Sequence, residues 1–275
     1  MLEFPECQAL ARQLRETIQG KTIGQVVARH TPHGFAFYHG DPDGYNSLLA
    51  GKKIDGAQAF GGQLEISAGD ARLTFSDGVN ARFVKPGEKR PAKHQLLVEF
   101  TDGSAIVCTV QMYGFMQAFL FDQYDNPYYL IAKDKPAPIS DDFDRSYFEK
   151  LLDAAKPNLS AKAFLATEQR IPGLGNGVLQ DILFKAGIHP KIKLSDLNGA
   201  QKDRMFTAVK KTLSEMAEKG GRDTEKDLFG HPGGYRTILS KITLDKPCPV
   251  CGSVLQRQAY LGGNIYYCPG CQKEK

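Results

Sequence analysis

The sequence has no long apolar run, because no stretch approaches the roughly 18 residues that a helix needs to cross a bilayer. Its first residues, MLEFPECQ, also lack the basic and then apolar pattern of a secretory leader. Cysteine is scarce in most of the chain, since only Cys7 and Cys108 precede Cys248. These absences favour a soluble, cytoplasmic protein and argue against a disulfide framework.

The composition indicates a globular chain with an uneven charge. With 275 residues, 41% of them hydrophobic, the chain is long enough for two domains. Residues 1–155 carry a formal charge of −4, whereas residues 156–275 carry +8. A positive C-terminal half would attract a polyanion such as a nucleic acid. An ordinary solvated basic surface is the alternative that charge alone leaves open.

The first part of the chain has the pattern of a helix followed by short strands. Pro5 suits the first turn of a helix, and Leu10, Leu14 and Ile18 follow at a spacing of four, with a stop at Gly20. Short β-rich segments separated by Gly-containing turns then predict an antiparallel sandwich or barrel. The predicted strands include residues 25–28, 63–67, 96–100, 105–110 and 118–121.

The second part is predicted to be helical. A proline-containing stretch at residues 133–142 resembles a linker, and helices are expected near residues 144–155, 160–168, 176–186 and 199–219. Gly220 and Gly221 would end the last helix. We therefore divide the chain into an N-terminal β-sandwich domain (1–132), a helical domain (133–245) and a zinc finger (246–275).

Four cysteines near the C-terminus have the spacing of a zinc ribbon. Cys248 and Cys251 form one C-x-x-C pair, and Cys268 and Cys271 form a second pair after sixteen intervening residues. A segment this short buries too little apolar surface to fold without a metal. Four thiolates leave no open coordination position, so one structural Zn²⁺ is expected, with residues 258–267 presented to a partner.

A glycine-rich turn precedes one of the predicted helices. Gly173 and Gly175 lie just before Asn176, where free backbone amides and a small polar cap can bind a phosphate. No strand precedes this turn, which excludes a dinucleotide-binding fold. Glycines that merely permit close packing of two helices are the structural alternative.

Four segments together resemble the formamidopyrimidine-DNA glycosylase and endonuclease VIII family. They are residues 3–6 (EFPE), the Lys93-His94 pair with the following strand, residues 173–190 and the cysteine-rich segment 248–271. The resemblance implies an α+β protein with an N-terminal helix and β-sandwich, a helix-two-turn-helix domain and a zinc-finger hairpin. It also implies a monomer that binds damaged duplex DNA in the nucleoid and flips a base outward.

The resemblance assigns roles to particular residues. Glu3 would act on the sugar of the flipped nucleotide as proton donor or relay, with Glu6 nearby, and these two are the candidate catalytic residues. Asn176 and Lys162 would bind phosphates, and His94 would lie against the DNA strand.

Several positions depart from the family pattern. Glycines stand at positions 62, 78 and 263, where the resemblance places a basic residue, an intercalating methionine and the zinc-finger arginine. Met112 and Tyr113 replace the arginine wedge. They could insert into the base stack themselves, as apolar side chains do elsewhere, or they could be buried core residues.

Position 2 bears most directly on the chemistry. In the family, a proline at this position becomes the N-terminus and its amine forms a Schiff base with the sugar, whereas this chain has Leu2, which should also prevent removal of Met1. A glycosylase in which Glu3 or Glu6 activates water is one interpretation. Lesion binding without chemistry is a second, and a Schiff base from Met1 or a displaced lysine is a third. A transcription or RNA-binding role is less favoured by residues 3–6.

Overall fold

The computed structural model describes residues 1–274 and begins with the predicted helix. Helix α1 spans Phe4–Ile18, with a proline in its first turn. Leu10, Leu14 and Ile18 lie on one face and are buried against the sheet, as their spacing predicts.

Seven strands form one sheet with the order β1-β6-β7-β5-β4-β3, and β2 pairs with β7 outside this path. The β2–β7 pairing is parallel and the others are antiparallel. The strands are β1 (Ile23–Ala28), β2 (Ala36–Phe37), β3 (Gly56–Phe60), β4 (Gln63–Ala68), β5 (Ala71–Val84), β6 (Leu96–Phe100) and β7 (Ala105–Leu120).

The two longest strands form the spine of the sheet. β4 pairs with the first half of β5 and β6 with the first part of β7, so the two halves of the sheet extend from opposite sides of the β5–β7 pair. Side chains from both halves, including Leu73 and Ile106, enter one core together with α1. This shared core is the basis of the sandwich architecture.

The prediction of two separate strands at residues 105–110 and 118–121 was wrong, because β7 is continuous. The chain passes residues 111–115 without a turn: Met112 adopts a left-handed φ of 63°, and the pairing with β5 shifts register between Asp77 and Val79. Gly114 allows close approach, since a Cβ there would lie 2.8 Å from the Val79 side chain. A bulge, and not a break, interrupts the ladder.

The C-terminal part is helical, as predicted. A short helix α2 (Tyr45–Leu49) precedes β3, and the remaining helices are α3 (Pro127–Asp134), α4 (Arg145–Ala154), α5 (Ala161–Ala166), α6 (Val178–Ala186) and α7 (Gly199–Glu218). α2 and α3 were not predicted. Phe4 of α1 belongs to the core of this helical part, which ties the two halves of the chain together.

The tail forms a small hairpin of β8 (Gln256–Tyr260) and β9 (Gly263–Tyr267). Its own core is minimal and includes Leu255 and Cys268 packed on Phe184 and Leu239. The partition at residues 132/133 and 245/246 stays a proposal, and α3 runs across the first of these boundaries. Within residues 1–274, no helix is both long and apolar enough to cross a membrane.

Candidate functional site

The Glu3 carboxylate lies at the junction between the N-terminal helix and the glycine-rich turn. The turn is held there because Phe4 N donates to Gly173 O at 2.8 Å. The two oxygens of Glu3 then accept hydrogen bonds from Gly177 N and Val178 N, each at 2.8 Å, at the start of α6. Glu3 therefore caps α6, which corrects the expectation that these two helix-start amides are free to bind a DNA phosphate.

Arg222 binds both candidate catalytic carboxylates. Its Nε and Nη2 donate to the two oxygens of Glu6 at 2.9 and 2.8 Å, and Nη1 lies 3.5 Å from Glu3 Oε2. Its backbone N–H also donates to Glu6 Oε1 at 3.1 Å. A Cβ at Gly177 would overlap the guanidinium, so any side chain there would displace Arg222 from its position. The bidentate pairing fixes Glu6, and the longer ion pair places Glu3 beside the same cation.

All three members of this cluster are buried, with exposed fractions of 5% for Glu3, 4% for Glu6 and 3% for Arg222. Burial raises the pKa of Glu3 above its ordinary value, even though Arg222 opposes the shift. Burial alone would lower the pKa of Arg222, but the facing carboxylates raise it above its ordinary value. The guanidinium is therefore a permanent buried cation beside the two carboxylates.

Sequence reasoning missed Arg222. The Gly220-Gly221 pair was interpreted only as the end of α7, and a charged residue after such a stop is usually solvated. Gly221 has a φ of 97° and packs against the Glu6 side chain, which turns the chain back toward α1. The two adjacent glycines were the available signal, because they indicate a sharp reversal of the backbone.

The N-terminus lies beside this cluster. Leu2 is buried, and its peptide nitrogen donates to Asp77 O at 2.6 Å. The Met1 amine pairs with the Glu225 carboxylate, and Arg222 Nη2 donates to Met1 O at 3.4 Å. Residues 222–225 thus hold both the amine and the carbonyl group of the first residue.

Met112 and Tyr113 lie at the bulge of β7, next to the N-terminus. Their exposed fractions are 73% and 38%, which excludes the buried-core alternative for these two residues. His94, by contrast, is buried, stacks on His30 with 4.3 Å between ring centroids, and bonds through Nδ1 to Pro91 O at 3.0 Å. This placement does not favour a direct contact of His94 with DNA, and its role stays a prediction.

Lys162 and Asn176 meet at the zinc-finger hairpin. Lys162 Nζ donates to Tyr260 O at 2.6 Å, and Asn176 Nδ2 donates to Asn264 O at 3.0 Å. Both side chains lie near Gly263: a Cβ added to this glycine would be 3.6 Å from Lys162 Nζ and 3.5 Å from Asn176 Nδ2. The resemblance predicts that these two side chains donate to DNA phosphates, but in this structure they donate to hairpin carbonyls. Either residue would have to give up its carbonyl bond to bind a phosphate.

The four tail cysteines converge on one point. Their sulfur atoms all lie within 4.8 Å of one another, with Cys248 Sγ at 3.8 Å from Cys271 Sγ and Cys251 Sγ at 3.3 Å from Cys268 Sγ. Tetrahedral coordination with Zn–S bonds of about 2.3 Å places sulfurs about 3.8 Å apart. The four cysteines can therefore bind one metal ion of this size.

Comparison with known proteins identifies relatives over the whole chain. The model of the formamidopyrimidine-DNA glycosylase H2TH domain matches residues 135–227. Formamidopyrimidine-DNA glycosylases of Bacillus cereus and Bacillus licheniformis are 27% and 28% identical, over 99% and 100% of both chains. The fold resembles that of the Lactococcus lactis Fpg in complex with DNA that contains an abasic site, with a TM-score of 0.84, 25% identity and coverage of 99% of this chain and 100% of that chain.

Proposed function

This chain belongs to the formamidopyrimidine-DNA glycosylase family, and on that premise we propose that it binds damaged duplex DNA without forming a Schiff base with the sugar. The absence of a Schiff base is inferred from the backbone and side chain of Leu2. Leu2 N is a peptide nitrogen that donates to Asp77 O, and the Leu2 side chain is buried. An amide is not a nucleophile toward a sugar, so this position has lost the chemistry of the family's proline.

The proposed DNA surface joins the helical part to the bulge of β7. Asn176 is exposed, whereas Lys162 beside it at the hairpin is only 5% exposed. Both lie within the half of the chain that carries the charge of +8. Met112 and Tyr113 present apolar surface at the other side of the site. Phosphate contacts would position the duplex, and the apolar side chains would enter the stack at the lesion.

Base release would require a water molecule activated by Glu3 or Glu6. Both oxygens of Glu3 accept backbone hydrogen bonds, and both oxygens of Glu6 accept bonds from Arg222. A carboxylate that acts as a base must reach the proton that it removes. Glu3 and Glu6 are only 5% and 4% exposed, so a water-using glycosylase would have to admit a water molecule to one of these carboxylates when DNA binds.

A second candidate function is lesion binding without chemistry. The Arg222 contacts favour it, because the guanidinium pairs with both carboxylates and holds them away from a substrate. In this form the protein would protect a lesion or recruit repair proteins. The two candidates share the DNA surface and differ only in base release.

We also propose that the tail binds one structural Zn²⁺ through Cys248, Cys251, Cys268 and Cys271. Four thiolates suit zinc, and they would leave no position for a reacting water. The ion would hold the β8–β9 hairpin, whose carbonyls contact Lys162 and Asn176.

End-labelled duplexes with an oxidised purine, an oxidised pyrimidine or an abasic site test this proposal at about 50 mM salt, where phosphate-driven binding is strong. On the two duplexes with an oxidised base, strand cleavage that requires both the protein and alkali would identify the water-using glycosylase. The abasic duplex, which alkali cleaves without any protein, reports binding alone. Binding that leaves the base attached would identify the second candidate. No binding to any duplex would refute both.

A further inference from the structure

Phe35 is a large aromatic side chain that the fold holds in solvent, with an exposed fraction of 62%. Both polar groups of its backbone are satisfied, because its N–H donates to His33 Nδ1 at 3.2 Å and its carbonyl accepts from Gly114 N at 3.0 Å. These backbone hydrogen bonds hold Phe35 in place, so its side chain is exposed from an ordered segment.

The β2 register brings this segment beside the bulge of β7. Ala36 pairs with Gly114 and Phe37 with Phe115, so Phe35 lies at the level of Tyr113. Met112, the next residue along, is 73% exposed. We call Phe35, Met112 and Tyr113 the apolar tip.

The apolar tip borders the candidate site. The Tyr113 carbonyl touches the backbone at Gly78, and the preceding residue, Asp77, bonds to Leu2. A Cβ at Gly78 would overlap the carbonyl oxygens of Gln111 and Tyr113, so no side chain fits where the resemblance places an intercalating methionine. The apolar tip, contributed by the segment that leads into β2 and by β7, therefore provides the apolar surface beside the N-terminus in place of that methionine.

We propose that Phe35 inserts into the base stack of duplex DNA together with Met112 and Tyr113, and fills the gap at an abasic or unstacked position. This assignment rests on the proposed function. Apolar and aromatic side chains insert between base steps, and an aromatic ring stacks on any base. Phe37 beside the apolar tip is also 39% exposed, but its ring stacks on Phe115 with 4.9 Å between centroids. Even with Phe37, the patch is small beside a standard protein interface, which buries about 800 Å² on each partner.

The test is binding to duplexes that carry 2-aminopurine opposite either an abasic-site analogue or a normal nucleotide. Phe35→Ala should weaken binding to the abasic duplex by about 5-fold to 100-fold and remove the fluorescence change caused by unstacking. Phe35→Trp should retain both. Phe121→Ala is the matched control, because Phe121 is 55% exposed and lies about 30 Å along the strand direction from Met112.

The outcomes separate this assignment from the proposed function. Wild-type binding with an unaffected Phe35→Ala variant would overturn the role of Phe35 alone, and so would equal weakening on both duplexes. Absence of wild-type binding would overturn the proposed function, and the assignment with it. Thermal unfolding of the two Phe35 variants should match the wild type, because that side chain is exposed.

Discussion

Replacement of Arg222 by alanine should strongly destabilise the protein. The substitution leaves Glu3 and Glu6, which are only 5% and 4% exposed, as buried carboxylates without a cation. Removing one partner of a buried ion pair costs about 3–5 kcal/mol, a large part of the stability of an ordinary domain. Because α1 contributes to both the β core and the helical core, the loss should affect the whole chain.

Urea unfolding followed by circular dichroism measures the effect. With an m value of about 2–3 kcal/mol/M, the Arg222→Ala midpoint should fall by roughly 1–2.5 M. Arg236→Ala is the control, because Arg236 lies in the same segment but is exposed, and its effect should stay within about 0.5 kcal/mol. Adding Glu6→Gln to Arg222→Ala should recover part of the loss. An Arg222→Ala midpoint equal to that of the control would refute the buried ion cluster.

Three further predictions concern DNA, the metal and acid stability. Asn176→Ala should weaken binding to intact and damaged duplexes alike in fluorescence anisotropy, since phosphate contacts carry no sequence information, and a change in lesion preference without weakening would contradict this. Removal of the metal with a chelator should release one zinc ion per chain and unfold the hairpin, and a hairpin that keeps its circular dichroism would argue against a structural ion. Hydrogen bonds from Lys21 and Ser104 lower the pKa of Asp102 from 3.8 to about 2, so the stability difference between wild type and Asp102→Asn should be constant above about pH 5 and disappear as the pH falls toward 2.

Local patterns in the sequence predicted the local parts of the molecule. The fourfold spacing of Leu10, Leu14 and Ile18 predicted α1 and its buried face, and the two C-x-x-C pairs predicted the convergence of four sulfurs. Both features depend on residues close together in the chain, where spacing determines which side chains share a face or a metal.

Long-range features were not predictable in the same way. The pairing of Glu6 with Arg222 joins residues 216 positions apart, and neither residue type indicates burial. The carboxylate of Glu3 could cap any nearby helix, and its capping of α6 depends on how the glycine-rich turn packs against Gly61 and Gly62. β7 can continue past its bulge because Gly114 has no side chain to clash with Val79 of the neighbouring strand, and this contact exists only in the folded sheet.

The absence of Schiff-base chemistry is the central claim, and borohydride trapping on a duplex with an abasic site tests it most directly. An imine between a protein amine and the sugar would be reduced to a stable covalent adduct, which denaturing electrophoresis separates from free DNA. We predict no adduct under conditions in which the wild-type protein binds the same duplex. A trapped adduct would contradict the account, because it would show that an amine of this chain, at Met1 or a lysine, still attacks the sugar.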